Sequence, residues 1–357
     1  MFHLLADITP HGFGHVSQTT AVLNALAGLM PDLRITVRTS VPFNILSSRL
    51  QCKFDHVAEA FDFGMKMHNA VAVDVPSSMA AYREFHHNWR ARIHREAGII
   101  RELKPDLLLG NVPYLSLAAA RQAGVQSVGM CCLNWADIYR HYCEDTIECR
   151  SIHQQILEAY LAASSFLKVE PAMPMEKFNH AISIEPIVRM GSSCRQEILQ
   201  QHALPADIRL VLVAMGGIHY PMDVQDWPVM PGVCWILPKE WHLNRPDMLS
   251  FESLHRQFTD VLTACDAVIT KPGYGTFTEA AYAGVPVLYV SRVDWPEEPY
   301  LLEWLRRNVR CLEIGKEQLQ QGALAGSLEQ VWAMPELPVP VGDGALQAAH
   351  YLRAFAG

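Results

Sequence analysis

Two short stretches bring together residue types that could do chemistry: "HGFGHVSQTT" at residues 11–20 and "ITKPGYGTFTEAAYAGVPVLYVSR" at residues 269–292. The second opens as a strand, turns through Pro272, Gly273 and Gly275, and then starts a helix. Glycines there let the backbone approach a ligand closely. The first free amides of the helix, at Tyr274, Gly275 and Thr276, carry partial positive charge towards it. That combination suits a pyrophosphate. Lys271 and Arg292 leave the two strands flanking this helix, and each can add a cationic hydrogen bond worth about 1.5–3 kcal/mol to a phosphate. Glu279 has no place against a phosphate. An ionised carboxylate only accepts, so its natural partner is a pair of neighbouring hydroxyls of the kind a ribose presents. The plainer role for Glu279 is a favourable interaction with its own helix dipole, worth about 0.3–1 kcal/mol.

In the first stretch, His15 stands between glycine turns and a helix. An imidazole titrating near 6.5 suits proton transfer, and a positioned base contributes roughly a hundred- to ten-thousand-fold. A lone histidine in a turn is otherwise structural. His11 is a second candidate base. A metal pair of the HxxxH kind needs a helix to align both rings, and Gly12 and Gly14 oppose one there. Trp241, in "PKEWH", could stack on a nucleobase or simply fill a core. The run "REFHHNWRARIHRE" at residues 83–96 reads as a solvated helix face, with an acceptor wall or lipid-headgroup contact as the alternative.

These residues need elements to hold them. Short β-branched or leucine-rich runs ("FHLLADI", "RITVRTS", "KFDHVA", "DLLLGN", "SVGMCC") alternate with helical patterns, including one long helix over 77–103. The rhythm restarts after "EPIVRMGSS" with "RLVLVAM", "VCWIL", "AVITK" and "PVLYVS". Strand and helix in alternation imply parallel sheets covered on both faces. The expectation is an α/β chain of two doubly wound, Rossmann-like domains facing across a cleft. Residues 1–188 form the first, 189–340 the second, and a helix within 341–357 could return to the first. Ligands of open α/β sheets lie beyond the carboxyl ends of strands, where both stretches fall.

With 357 residues, 50% hydrophobic and 18% charged, the chain has material for two cores, and its net charge of −8 argues against a nucleic-acid partner. The nine cysteines, including the adjacent Cys131 and Cys132, have neither CxxC nor zinc-site spacing. They read as reduced core thiols of a cytoplasmic protein. No apolar run approaches the roughly 20 residues that cross a bilayer, and no basic leader precedes the first strand.

The order Lys271, Gly273, Glu279, Gly284, Pro286 resembles the donor-binding element of nucleotide-sugar glycosyltransferases of the GT-B type. "HGFGH", "PDLLLGNVP", "NWADIYRHY", "KPGYGTFTEA" and "RVDWPEEPYL", in this order, are further similar to the glycosyltransferase-like amino-terminal region of plant L-arabinokinases and bacterial stand-alone relatives. No sugar-kinase module accompanies them. The resemblance implies a UDP-sugar held by the second domain, with Gly216 and Gly217 near the phosphates or the sugar, and Gly12 and Gly14 among the diphosphate-binding positions. It implies donor-sugar contacts from the acidic positions Asp294, Glu297 and Glu298, and His15 taking the acceptor's proton in an inverting transfer. Where many such enzymes orient this histidine with an aspartate, the sequence offers Asn111, with Asp137 as a possible compensating charge. The absence of a DxD motif points to transfer without a metal or other cofactor. The alternatives are a nucleotide-sugar epimerase or hydrolase, a non-catalytic nucleotide-sugar-binding module, and a partner serving a separate sugar kinase.

Overall fold

The computed structural model describes residues 1–69, 72–216, 220–292 and 294–357. The first half builds β1 (His3–Ile8), β2 (Arg34–Arg38), β3 (Asp55–Val57), a small antiparallel pair β4 (Met67–Asn69) and β5 (Ala72–Val73), then β6 (Leu107–Asn111), β7 (Gln126–Cys131), β8 (Ser165–Val169) and β9 (Ala181–Ile184). Apart from that pair they form one parallel sheet in the order β3-β2-β1-β6-β7-β8-β9. The central strands are buried on both faces, which is why "HLLADI" and "LLLGN" read as continuous apolar runs rather than alternating ones.

The second half repeats the plan with β10 (Arg209–Ala214), β11 (Val233–Leu237), β12 (Met248–Ser250), β13 (Ala267–Thr270), β14 (Val287–Tyr289) and β15 (Cys311–Glu313), all parallel, in the order β12-β11-β10-β13-β14-β15. In each sheet the strand order reverses once, between β1 and β6 and between β10 and β13. A crevice opens beyond the carboxyl ends at such a reversal. Ile8 there pairs with Asn111, and Ala214 with Thr270. These are two Rossmann-like domains. One apolar core runs from the first sheet to one face of the second, and a separate cluster fills that sheet's other face.

The helix Gly344–Arg353 packs against the helix Phe13–Leu29 of the first domain. Its start is fixed to the segment joining the domains: the Gly344 amide donates to the Pro186 carbonyl at 3.1 Å, and the Gln347 side chain accepts from the Glu185 amide at 2.9 Å. A Cβ at Gly344 would stand 1.9 Å from the Glu185 carbonyl oxygen, so only glycine permits this approach.

The stretch 77–103 is not one helix. It breaks between Val75–His86 and Trp89–Leu103, and the solvated face expected over 83–96 turns partly inward. His86 is buried between Tyr114 Oη at 2.9 Å and Gln155 Oε1 at 2.8 Å. Glu96 is buried 2.6 Å from Arg38, whose Nε and Nη2 also donate to Asp7 at 2.7 and 2.5 Å. Arg38→Ala would strand two buried carboxyls, so it is expected to destabilise the chain by about 3–5 kcal/mol in a denaturant titration. A loss below about 1 kcal/mol would show that water or relaxation replaces the guanidinium.

Candidate functional site

The two crevices face each other across a cavity of about 560 Å³. On the second-domain side, Gly273 is extended at φ −164 and precedes the helix Tyr274–Ala283, which has no side-chain cap. The first intrahelical bond at this end runs from the Phe277 amide to the Gly273 carbonyl at 3.1 Å, so the amides of Tyr274, Gly275 and Thr276 lie ahead of it. A Cβ at Gly275 would meet nothing within 4 Å. The Tyr274 ring lines the cavity and also has a structural task. Its hydroxyl accepts from the Ile187 amide at 2.9 Å and donates to the Glu170 carbonyl at 3.1 Å, tying the helix start to the interdomain segment.

Lys271 and Arg292 line the same cavity. Burial, with the Arg292 charge adding to it, pushes Lys271 down to about 7. Arg292 lies with its guanidinium 5.2 Å from the Trp295 ring centroid, and its Nε is buried with no hydrogen-bond partner among the described residues. Gly216 has φ +84, which favours glycine, and a Cβ there would come within 3.1 Å of Lys271 Cε. Gly217 lies outside the described residues. Glu279 also lines the cavity, and burial lifts its carboxyl to about 8 against the opposing charges of Arg49 and Arg189. Trp241 borders the cavity while its Nε1 donates to the Tyr220 carbonyl at 2.9 Å.

The three acidic positions after β14 separate. Glu297 faces the cavity, its oxygens accepting from the Cys132 thiol at 3.1 Å and from Trp295 Nε1 at 3.0 Å. Glu298 turns back onto its own loop, where both oxygens accept from the Arg292 amide at 3.2 and 3.0 Å. Asp294 sits on the exposed rim, 2.5 Å from His141 Nε2 of the first domain. Its carbonyl also accepts from the Tyr142 hydroxyl. The last two positions therefore hold the loop and the domain contact rather than lining the cavity.

On the first-domain side, Gly12 with φ +83 and Gly14 open the chain at the head of the helix Phe13–Leu29, and neither would bring a Cβ within 4 Å of another group. His15 follows, buried but bordering the cavity. Its Nδ1 is 2.9 Å from Asn111 Oδ1. The amide is oriented by its own Nδ2, which donates to Gln18 Oε1 at 3.1 Å. An amide oxygen only accepts, so Nδ1 carries the proton and Nε2 is left for the cavity. Asp137 does not approach this pair. It belongs to the cap of the helix Trp135–Tyr142, with its amide donating to Asn134 Oδ1 at 2.9 Å and its carboxylate accepting from Asn134 Nδ2 at 2.8 Å.

Two groups that sequence reasoning did not place here do approach. Cys131, at the end of β7, brings its Sγ to 3.5 Å from His15 Nδ1, and the buried Asp62 accepts from Trp135 Nε1 at 2.8 Å. Burial opposes a charge on His15, but Cys131, Asn111 and Asp62 together raise it to about 9. His11 goes the other way. Burial, then the charges of His15, Arg292 and Lys271, push it down to about 3. It stacks at 6.2 Å on Trp295 and edge-on at 5.2 Å to Trp135, as a neutral packing group rather than a base. Among the described residues, no three His, Cys, Asp or Glu side chains are grouped to hold a metal ion, and no helix is long and apolar enough to cross a membrane.

Comparison with solved structures defines the class of fold. UGT89C1 of Arabidopsis thaliana aligns over 99% of this chain and 98% of its own with a TM-score of 0.64 at 15% identity. CalG4, the calicheamicin glycosyltransferase, aligns over 99% and 94% with a TM-score of 0.62 at 15% identity. The chain has the GT-B fold of these proteins. UGT89C1 complexed with UDP-L-rhamnose aligns with a TM-score of 0.58 at 15% identity, over 99% of this chain and 98% of that one. In sequence, the chain is similar to the L-arabinokinase of Arabidopsis thaliana, 26% identical over 353 residues. That match takes in 98% of this chain, which spans about a third of the plant protein's length. No family model matches the chain.

Proposed function

We propose that the chain transfers a sugar from a nucleotide-sugar, with UDP as the nucleotide, to an acceptor hydroxyl, with inversion and without a metal. One observation carries this reading: an uncapped helix start and the Glu279 carboxyl border the same cavity as His15, whose free nitrogen is Nε2. The diphosphate lies on the amides at 274–276 beside Lys271 and Arg292, and the ribose hydroxyls meet Glu279. The acceptor oxygen gives its proton to His15 Nε2 and forms a bond to the anomeric carbon as the bond to the diphosphate oxygen breaks. Amides and cations already aimed at that oxygen stabilise the charge it gains. That UGT89C1 has been solved complexed with UDP-L-rhamnose supports a sugar donor of this chemical type.

A second reading has its own support. With His15 raised to about 9, its imidazole is mostly cationic at neutral pH, and a cation grips a phosphate rather than taking a proton. On that reading the chain binds nucleotide-sugars without turning them over. Incubation with a panel of UDP-sugars separates the cases. Release of UDP that requires an added acceptor supports transfer. Release without one indicates hydrolysis, and tight binding with no release indicates a binding module.

Ligand binding should also move protons. A diphosphate favours the charged form of Lys271, which starts near 7, so binding draws a proton on. Two ribose hydroxyls favour the carboxylate of Glu279, which starts near 8, so binding lets a proton go. Calorimetry in buffers of different ionisation enthalpy reads the net exchange. Lys271→Gln should shift it towards release and Glu279→Gln towards uptake, each by up to one proton. No change in either variant would place the ligand elsewhere.

A further inference from the structure

We propose that Cys131 is the positioning residue of His15, its sulfur serving as the negative partner of the imidazolium where the first domain places an amide instead of a carboxylate. Two side chains converge on one ring nitrogen. Asn111 ends β6, Cys131 ends the adjacent β7, and the pairing of Gly110 with Gly129 sets those two ends side by side. Asn111 Oδ1 lies 2.9 Å and Cys131 Sγ 3.5 Å from His15 Nδ1. Because the amide oxygen can only accept, the nitrogen between them is a donor, and the sulfur beside it stands where an acceptor belongs. A thiolate accepts far better than a thiol, and an adjacent imidazolium is the usual means of forming one.

The surroundings fit a charge pair. Cys131 has no exposed surface and His15 is 7% exposed, so water neither screens nor replaces the contact. Asp62 faces the pair from the segment after β3, and His11 from the turn before His15, neutral at working pH. Cys132 follows in the chain, its thiol 3.1 Å from Glu297 Oε1 of the second domain and beside Cys131. Lys271 and Arg292 stand across the cavity, where their charge reaches His11. The carboxyl of Asp62 also acts on His15, and burial lifts it to about 6. Cys131 is pulled the opposite way, to about 6 against its burial, by hydrogen bonding from Cys132 and by His15. Asn111 fixes the ring's orientation, and Cys131 fixes its charge.

Cys131 takes no part in bond making. When Nε2 receives the acceptor proton, the sulfur keeps its charge, and the two groups end as thiolate and imidazolium. The activity consequence rests on the transferase reading, but the charge pair itself does not. The test is therefore an NMR titration of the His15 ring in the full chain, its signal assigned by loss in His15→Asn, beside the pH profile of kcat. In the wild-type chain the midpoint should lie well above 6.5. Cys131→Ser should lower it by at least about one unit, and Cys131→Asp should restore it. If turnover is present, the rising limb of kcat should move with the midpoint. Should the serine variant fail to fold, ultraviolet thiolate absorbance of the wild-type chain gives the same answer. One thiolate forming below neutral pH supports the pair, and none below pH 8 overturns it. A midpoint unchanged in Cys131→Ser also overturns it. A shifted midpoint in a chain that turns over no nucleotide-sugar leaves the pair in place and removes the transferase reading alone.

Discussion

His15→Ala is expected to cut kcat for sugar transfer by about a hundred- to ten-thousand-fold at saturating donor, the span a positioned base contributes. His15 is placed for this by packing rather than by chance contact. Gly12 and Gly14 open the turn, Asn111 fixes the tautomer, and the helix Phe13–Leu29 carries the ring to the cavity edge. Saturating the donor separates chemistry from binding, since an interaction made only in the transition state lowers kcat and leaves KM close to its starting value. The pH profile gives the sign independently. A base must be unprotonated to act, and His15 is raised to about 9, so the wild-type rate should climb from pH 6 towards pH 9 and then level. The alanine variant should lose that limb. A variant that keeps its rate, or loses only donor affinity, would assign His15 to phosphate binding.

Glu279→Ala is expected to weaken nucleotide-sugar binding by about 10- to 150-fold, the equivalent of about 1.5–3 kcal/mol for hydrogen bonds to a charged acceptor. The carboxyl borders the cavity and faces Arg49 and Arg189, which steady its charge without occupying its oxygens in any ion pair among the described residues. If Glu279 served only its own helix dipole, the same change would cost no more than about 1 kcal/mol of stability and nothing in affinity. Titration calorimetry beside a thermal melt distinguishes the two, because the losses fall on different measurements. Arg49 is itself positioned by Ser17, two residues beyond His15, so the proposed ribose and acceptor sides of the cleft would share one cation.

Both sheets were legible in the sequence because their central strands are buried on both faces and therefore spell out as apolar runs bounded by turns. β8, β9 and the helix Ile147–Leu161 were not, since "SFLKV" and "AISI" are short and mix polar with apolar residues, and β9 is the sheet's edge. The break at 87–88 was hidden because helical periodicity continues across it, while tertiary contacts to Tyr114 and Arg38 decide which faces turn inward.

At the site, the groups that follow strands directly were recognisable by position: His15, Lys271, Gly273 and Glu279 belong to local strand–turn–helix units. Tyr274, Glu298 and Asp294 have the right types, but hydrogen bonds to the interdomain segment, to a loop amide and to His141 turn them to other tasks. Cys131 was read as a core thiol. It lies 116 residues from His15 in the chain, and only the adjacency of β6 and β7 brings the two together. The available signal was that Asn111 is the final residue of the strand beside the reversal of strand order and Cys131 the final residue of the strand next to it.

The place a nucleotide takes in the cleft decides between these readings. A crystal structure of the chain with UDP measures this directly. Diphosphate oxygens should lie about 3 Å from the amides of residues 274–276 and from Lys271 Nζ, with the ribose hydroxyls on the Glu279 carboxylate. Density for UDP outside the cleft, or a ribose turned away from Glu279, would contradict it.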